Sequence, residues 1–88
     1  MPEIRGQLIF AQIDHLGGEQ LGTLIEVLFK EGVKNAHLVP SLTKKGRPGY
    51  LLFIDLGEET PERISELLAK EYGIRGYHLI TTNHRFFL

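Results

Sequence analysis

Two groups of residues in this sequence carry side chains that could do chemistry. The first is basic: Lys44, Lys45 and Arg47 crowd into the run Lys44-Lys45-Gly46-Arg47-Pro48-Gly49, and Arg75 follows further along. Ammonium and guanidinium groups in that density suit phosphate oxygens, the guanidinium through paired hydrogen bonds. The second group is Asp14, His15 and Glu19, set around Gly17-Gly18. Carboxylate oxygens and a neutral imidazole nitrogen are ligands for a divalent cation. Paired glycines ahead of a helix let an anion approach the unpaired N–H groups at its amino end. The combined expectation is a site for a nucleotide or similar phosphorylated small molecule. Lys44, Lys45, Arg47, Arg75, Gly17 and Gly18 would face the ligand, and Asp14, His15 and Glu19 would hold a metal ion. Each group also has a plainer reading. The basic run fits a solvated hairpin that protects a sheet edge, and Asp14 and Glu19 fit carboxylates that stabilise a helix dipole by about 0.3 to 1 kcal/mol.

The rest of the composition narrows the chemistry. There is no cysteine among the 88 residues, so disulfides, thiolate catalysis and soft-metal thiolate sites are excluded and metal ligands must be His, Asp or Glu. His37, His78 and His84 are scattered, with no helical spacing that would aim two at one metal. No Ser/His/Asp set or nucleophile motif can be placed, so catalysis by this chain alone is not indicated. Ten Lys and Arg stand against eleven Asp and Glu, a net charge of -1, so an anion site has to be local and nucleic acid is not an expected partner. The apolar runs fall far short of the roughly 18 residues of a membrane span, and the opening residues lack the pattern of a secretory signal. No membrane partner is expected, and a cytoplasmic location is the default.

Six elements must bring the two groups together. Gln7 to Ile13 (QLIFAQI) is apolar at nearly every position and reads as a central strand. Leu21, Leu24, Ile25, Leu28 and Phe29 recur at helical spacing before Gly32, where a left-handed cap belongs. Ala36 to Thr43 contains Pro40, which a sheet tolerates on an edge strand. After the basic loop, Tyr50 to Leu56 (YLLFIDL) reads as a second central strand. Thr60-Pro61 is an N-cap followed by proline in the first turn, and Ile64, Leu67, Leu68 and Tyr72 form a helical stripe that Gly73 stops. Tyr77 to Phe86 completes the order β-α-β-β-α-β. A 42% hydrophobic, 24% charged chain of this length predicts one small α+β domain of modest stability. In the ferredoxin-like arrangement, two helices lie on one face of an antiparallel sheet in spatial order 4-1-3-2, with the first and third strands central. The two most apolar strands are those two. This topology takes the end of the first strand, the start of the first helix, the basic loop and the start of the last strand to one end of the sheet.

With the elements in order, a family resemblance emerges. Ile13-Asp14, Glu19, Gly32-Val33, Pro40, the Lys44-Lys45-Gly46-Arg47-Pro48-Gly49 loop with its apolar strand, and later Gly73-Ile74-Arg75 together resemble the C-terminal domain of the LarC family of nickel insertion proteins. That family's motifs read approximately N-I-D-D-M, M-K-K-x-R-P-G and G-V-R, and the match covers about half the chain. Where the family has the second Asp of its pair this chain has His15, and Thr43 replaces the Met before the lysines. The resemblance implies a CTP-dependent role in nickel-pincer cofactor biosynthesis, with nickel as substrate and CTP bound together with Mn or Mg. It implies that Lys44, Lys45, Arg47 and Arg75 contact nucleotide phosphates and that Asp14 lies near the metal. The family's large N-terminal region has no counterpart here. The chain is therefore expected to be a fragment, a separate subunit with another chain supplying that region, or a repurposed relative.

Two other classes fit the same element order. An RNA-binding module would use Ile9-Phe10 and Tyr50 with Phe53 as its stacking residues, although the loop-to-strand run Gly49-Tyr50-Leu51-Leu52-Phe53 lacks a small residue between aromatics. An oligomerisation or small-ligand regulatory domain would meet another copy through its sheet face or edges, and the apolar tail Phe86-Phe87-Leu88 calls for a covering surface. A homo-oligomer is expected on that ground.

Overall fold

The computed structural model describes residues 2–87. The elements follow the expected order: β1 (Glu3–Ile13), α1 (Gly18–Lys30), β2 (Asn35–Leu42), β3 (Pro48–Asp55), α2 (Pro61–Tyr72) and β4 (His78–Arg85). A single 3-10 turn, Lys44–Gly46, lies between β2 and β3. The strands form one antiparallel sheet in the order β2-β3-β1-β4, which is the 4-1-3-2 arrangement read from the other edge. The apolar strands β1 and β3 occupy its centre, and β2 with Pro40 lies at an edge that can spare a backbone N–H.

Strand alternation sends one set of side chains to the helices. Ile9, Ala11 and Ile13 of β1 and Leu52 and Ile54 of β3 are at most 2% exposed. They form one core with Leu21, Leu24 and Leu28 of α1 and Ile64, Leu68 and Tyr72 of α2. Each such Leu or Ile contributes about 1.5 to 3 kcal/mol by leaving water, which is what holds both helices to the same face. Their ends are set by local chemistry. The Thr60 hydroxyl accepts the Arg63 N–H at 3.4 Å at the start of α2. Gly73 ends that helix at φ 66, and Gly32 turns the chain after α1 at φ 96, both in the left-handed region that a side chain resists.

β1 begins at Glu3, ahead of the expected Gln7, because β4 carries the ladder on after β3 has ended. Glu3 pairs with Arg85 and Gly6 with Thr82, beyond the last β1–β3 pair, Leu8 with Asp55. This two-stranded extension meets no helix, so its sequence has no buried period to read. The ladder continues into the tail, where the Phe86 N–H donates to the Pro2 carbonyl at 3.1 Å. Phe87 is 95% exposed, and Leu88, the last residue of the apolar tail, lies outside the described residues. No helix among the described residues is long and apolar enough to cross a membrane.

Candidate functional site at the loop end of the sheet

β1 and β2 finish, and β3 and β4 begin, at one end of the sheet. A cleft of about 620 Å³ opens there, lined by Asp14 at the end of β1, by Lys44 and Arg47 from the loop, and by Gln12, Ser41 and Leu51 from the sheet. The loop is held shut by its own backbone. The Thr43 N–H and hydroxyl both donate to the Arg47 carbonyl, at 2.7 and 3.1 Å, and the Gly46 N–H donates to the Thr43 carbonyl at 3.1 Å. This closure puts Lys44 and Arg47 on the cleft wall. Lys45 takes the turn's strained position, at φ 63 and ψ 23, a left-handed conformation that costs a residue with a β-carbon about 1 to 2 kcal/mol.

Gly49 seats the loop against β1. A β-carbon at this buried glycine would stand 3.2 Å from both the Ile13 carbonyl oxygen and the Thr43 methyl group, and 3.8 Å from the Asp14 β-carbon. The missing side chain is therefore what lets the loop close over the end of β1, next to Asp14.

Of the predicted site residues, Asp14, Lys44 and Arg47 meet in the cleft, while Lys45, Arg75, Gly17, Gly18, His15 and Glu19 do not line it. His15 is turned away: its Nε2–H donates to the Tyr72 carbonyl at 2.7 Å, and its Nδ1 lies 3.9 Å from the Asp14 carboxylate. At the amino end of α1 the Gly17 N–H already donates to the Gln20 side-chain oxygen at 3.1 Å, which removes one donor from the expected anion site. Arg75 is exposed in the link from α2 to β4. Among the described residues no three His, Asp or Glu side chains converge as a metal-binding group. The expected trio Asp14, His15 and Glu19 therefore does not assemble, because His15 is committed to α2 and Glu19 heads α1 away from the cleft.

Three contributors were not among the predicted site residues: Gln12, Ser41 and, although it closes the basic run, Gly49. Gln12 carried a signal, being the polar side chain that interrupts an apolar strand on the face opposite Ile13. Ser41 and Gly49 became neighbours only through the β2–β3 register, in which they pair directly. All the polar donors that line the cleft besides its two cations are oxygens or an amide. That set suits a hard divalent ion such as Mg or Mn, which is commonly held by one or two carboxylates together with ligand phosphates.

A ferredoxin-like α+β domain with groups of both charge signs gathered at one end of its sheet is the class that fold and site define. The chain belongs to the nickel insertion protein family, whose model matches residues 4–88. The relationship thus runs well beyond the half of the chain that carries the recognisable motifs. A relative of that description from Methanococcoides burtonii is 36% identical over 80 residues, covering 91% of this chain and 20% of the relative. One from Methanothermobacter thermautotrophicus is 38% identical over 78 residues, covering 89% of this chain and 19% of the relative. The chain therefore spans about a fifth of the length of these curated relatives. Among solved structures, the fold matches LarC2 in its apo form, the C-terminal domain of a cyclometallase involved in the synthesis of the NPN cofactor of lactate racemase. The TM-score is 0.83 at 22% identity, over 96% of this chain and 58% of that one.

Proposed function

We propose that this chain is the nucleotide-binding and divalent-ion-binding part of a nickel insertion protein, acting in nickel-pincer cofactor biosynthesis with nickel as substrate and CTP as the nucleotide. The observation that carries this reading is the meeting of Asp14, Lys44 and Arg47 in one cleft. Lys44 and Arg47 neutralise polyphosphate oxygens, the Arg47 fork in two parallel hydrogen bonds. Asp14 takes a share of a divalent ion that completes its coordination with phosphate oxygens and water, so a three-residue protein cage is not required. When bound, that ion supplies positive charge against the phosphates. Gln12 and Ser41 offer hydrogen bonds from the cleft floor, and Gly49 keeps the loop at the height this requires. Family membership supports the nickel role, and the remaining machinery would come from the region that makes up the other four-fifths of the relatives.

The test is calorimetric titration with CTP, with and without Mn²⁺ or Mg²⁺, using ATP and a short RNA as controls. Saturable CTP binding that depends on the divalent ion and is lost in Arg47→Ala is the expected result. A folded protein that binds no nucleotide under any of these conditions would overturn the reading.

A further inference from the structure

The two outer strands of the sheet are finished differently. The Leu56 N–H donates to the Gln7 carbonyl at 3.1 Å, which fixes the alternation of bonds along β3. Tyr50, Leu52 and Ile54 bond to β1, so their partners on β2, Pro40, Leu38 and Ala36, turn their backbone groups to the free side. Two of these outward positions have no N–H to give. Pro40 lacks one, and the Ala36 N–H donates to the Asn35 side-chain oxygen at 2.9 Å. Blocking of this kind keeps a sheet edge from pairing.

β4 has no such guard. The Phe86 N–H donates to the Pro2 carbonyl at 3.1 Å, and the β1–β4 register runs on from there without a bulge. Ile80, Thr82 and His84 therefore bond to β1, while Leu79, Thr81, Asn83 and Arg85 turn their N–H and C=O groups outward. Among the described residues no backbone group pairs with those outward groups. The strand contains no proline, and its one Asp, Glu, Lys or Arg is Arg85 at its very end, 3.7 Å from the Glu3 carboxylate. The helices do not cover it either. Every position except Thr82 is exposed, and Leu79 is 46% exposed although it pairs with the fully buried Ile9.

We propose that the free edge of β4 binds an extended segment from the part of the nickel insertion protein that lies outside the matched residues 4–88. A straight, apolar strand edge with unpaired N–H and C=O groups is a template for one more strand. The Methanococcoides burtonii relative, of which this chain covers 20%, carries ample further polypeptide to supply it. Glu3 and Arg85 are directly opposite one another. In such a relative, the polypeptide on either side of the matched residues therefore joins the domain at one end of the sheet, at the foot of this edge. A short connection from there holds a segment at a local concentration in the millimolar range, which favours it over an untethered partner. The segment required is a strand of about five or six residues, apolar beside Leu79 and Ile80 and polar beside Asn83. A polyanion would meet a single cation on this strand, already facing a carboxylate.

The test uses the whole chain without nucleotide or metal, so its outcome stands apart from that of the nucleotide reading. Overlapping short synthetic peptides covering the unmatched part of the Methanococcoides burtonii relative are titrated with the chain by fluorescence anisotropy, and amide hydrogen exchange is followed by NMR. At least one peptide is expected to bind saturably and to slow exchange at Leu79, Thr81 and Asn83, leaving Ile80 and Thr82, already bonded to β1, unchanged. Thr81→Pro removes an outward donor and no bond to β1, so it is expected to stay folded by circular dichroism and to weaken binding on the order of tenfold or more. Thr81→Ala is expected to bind as the wild type does, and Asn83→Pro replaces Thr81→Pro if that variant is unfolded. Absence of binding by every peptide overturns the proposal, as does binding that the proline variant leaves intact. Protection of the same amides on raising the concentration of the chain alone would assign the edge to a second copy and overturn it too.

Discussion

His15 and Tyr72, 57 positions apart, are joined by a 2.7 Å hydrogen bond from the imidazole Nε2 to the backbone carbonyl of the last residue of α2. The bond ties the turn after β1 to the far end of the second helix, where an orphan carbonyl and the negative end of the dipole welcome a donor. His15 thereby acts as a brace behind the cleft. His15→Ala is expected to lower stability by about 1 kcal/mol, the usual net value of one such bond. His15→Asp, which restores the family's acidic pair, should cost more, because a carboxylate cannot donate to the carbonyl and faces the helix's negative end. Urea unfolding of the three proteins checks the order.

Gly49 makes a second prediction. Gly49→Ala would push a methyl group against the Ile13 carbonyl oxygen and the Thr43 methyl, each 3.2 Å from the new atom. A backbone oxygen in a central strand has little room to give. Destabilisation of about 1 kcal/mol for Ala, and up to about 3 for Val, is expected from overpacking of this kind. Nucleotide titration of the Ala variant should show weakened binding while folded, since the loop no longer seats fully.

The lysine pair should separate by geometry. Lys44 lines the cleft and Lys45 does not, so Lys44→Ala is expected to weaken CTP binding on the order of tenfold and Lys45→Ala far less, following the worth of charge-assisted hydrogen bonds. Lys45→Gly should leave binding nearly unchanged and raise the unfolding midpoint, by relieving the left-handed backbone at φ 63. Calorimetry and urea unfolding of the same variants distinguish the two roles. Equal losses of binding in both alanine variants would contradict the placement of Lys45 outside the site.

Alkaline pH should expose the packing of Tyr72. Burial pushes its phenol pKa up, and repulsion from Glu71 and Glu26 adds to the shift. The folded state therefore keeps this proton to higher pH than the unfolded chain does. Below the ordinary tyrosine value of about 10 the contribution is flat, and above it the unfolded state loses its proton first, so stability falls as pH rises toward the folded pKa. Tyr72→Phe should lose less stability than the wild type over that alkaline window and show the same slope below it, as urea unfolding at a series of pH values would report.

Much of the architecture was legible because its causes are local. A helix stripe at i, i+3 and i+4, a Thr60-Pro61 start, a Gly73 stop and the unbroken apolar runs of β1 and β3 are consequences of covalent geometry and water avoidance within a few residues of each position. The extension of β1 back to Glu3 was not legible, because those residues are held by a partner strand some eighty positions away and not by burial of their own side chains.

The site divides in the same way. Residue types alone determined that any anion chemistry would centre on Lys44 to Gly49, that metal ligands would be oxygens or imidazoles, and which end of the sheet would gather them once the element order was read. Only the tertiary structure decided that Lys44, Arg47 and Asp14 share a cleft, that His15 braces α2, and that His37, Phe53, Phe10 and His78 fall in one register row across the sheet. The physical reason is direction. A sequence lists what each side chain can do, but where it points depends on strand register and loop closure, and both are set by hydrogen bonds and contacts between segments distant in the chain.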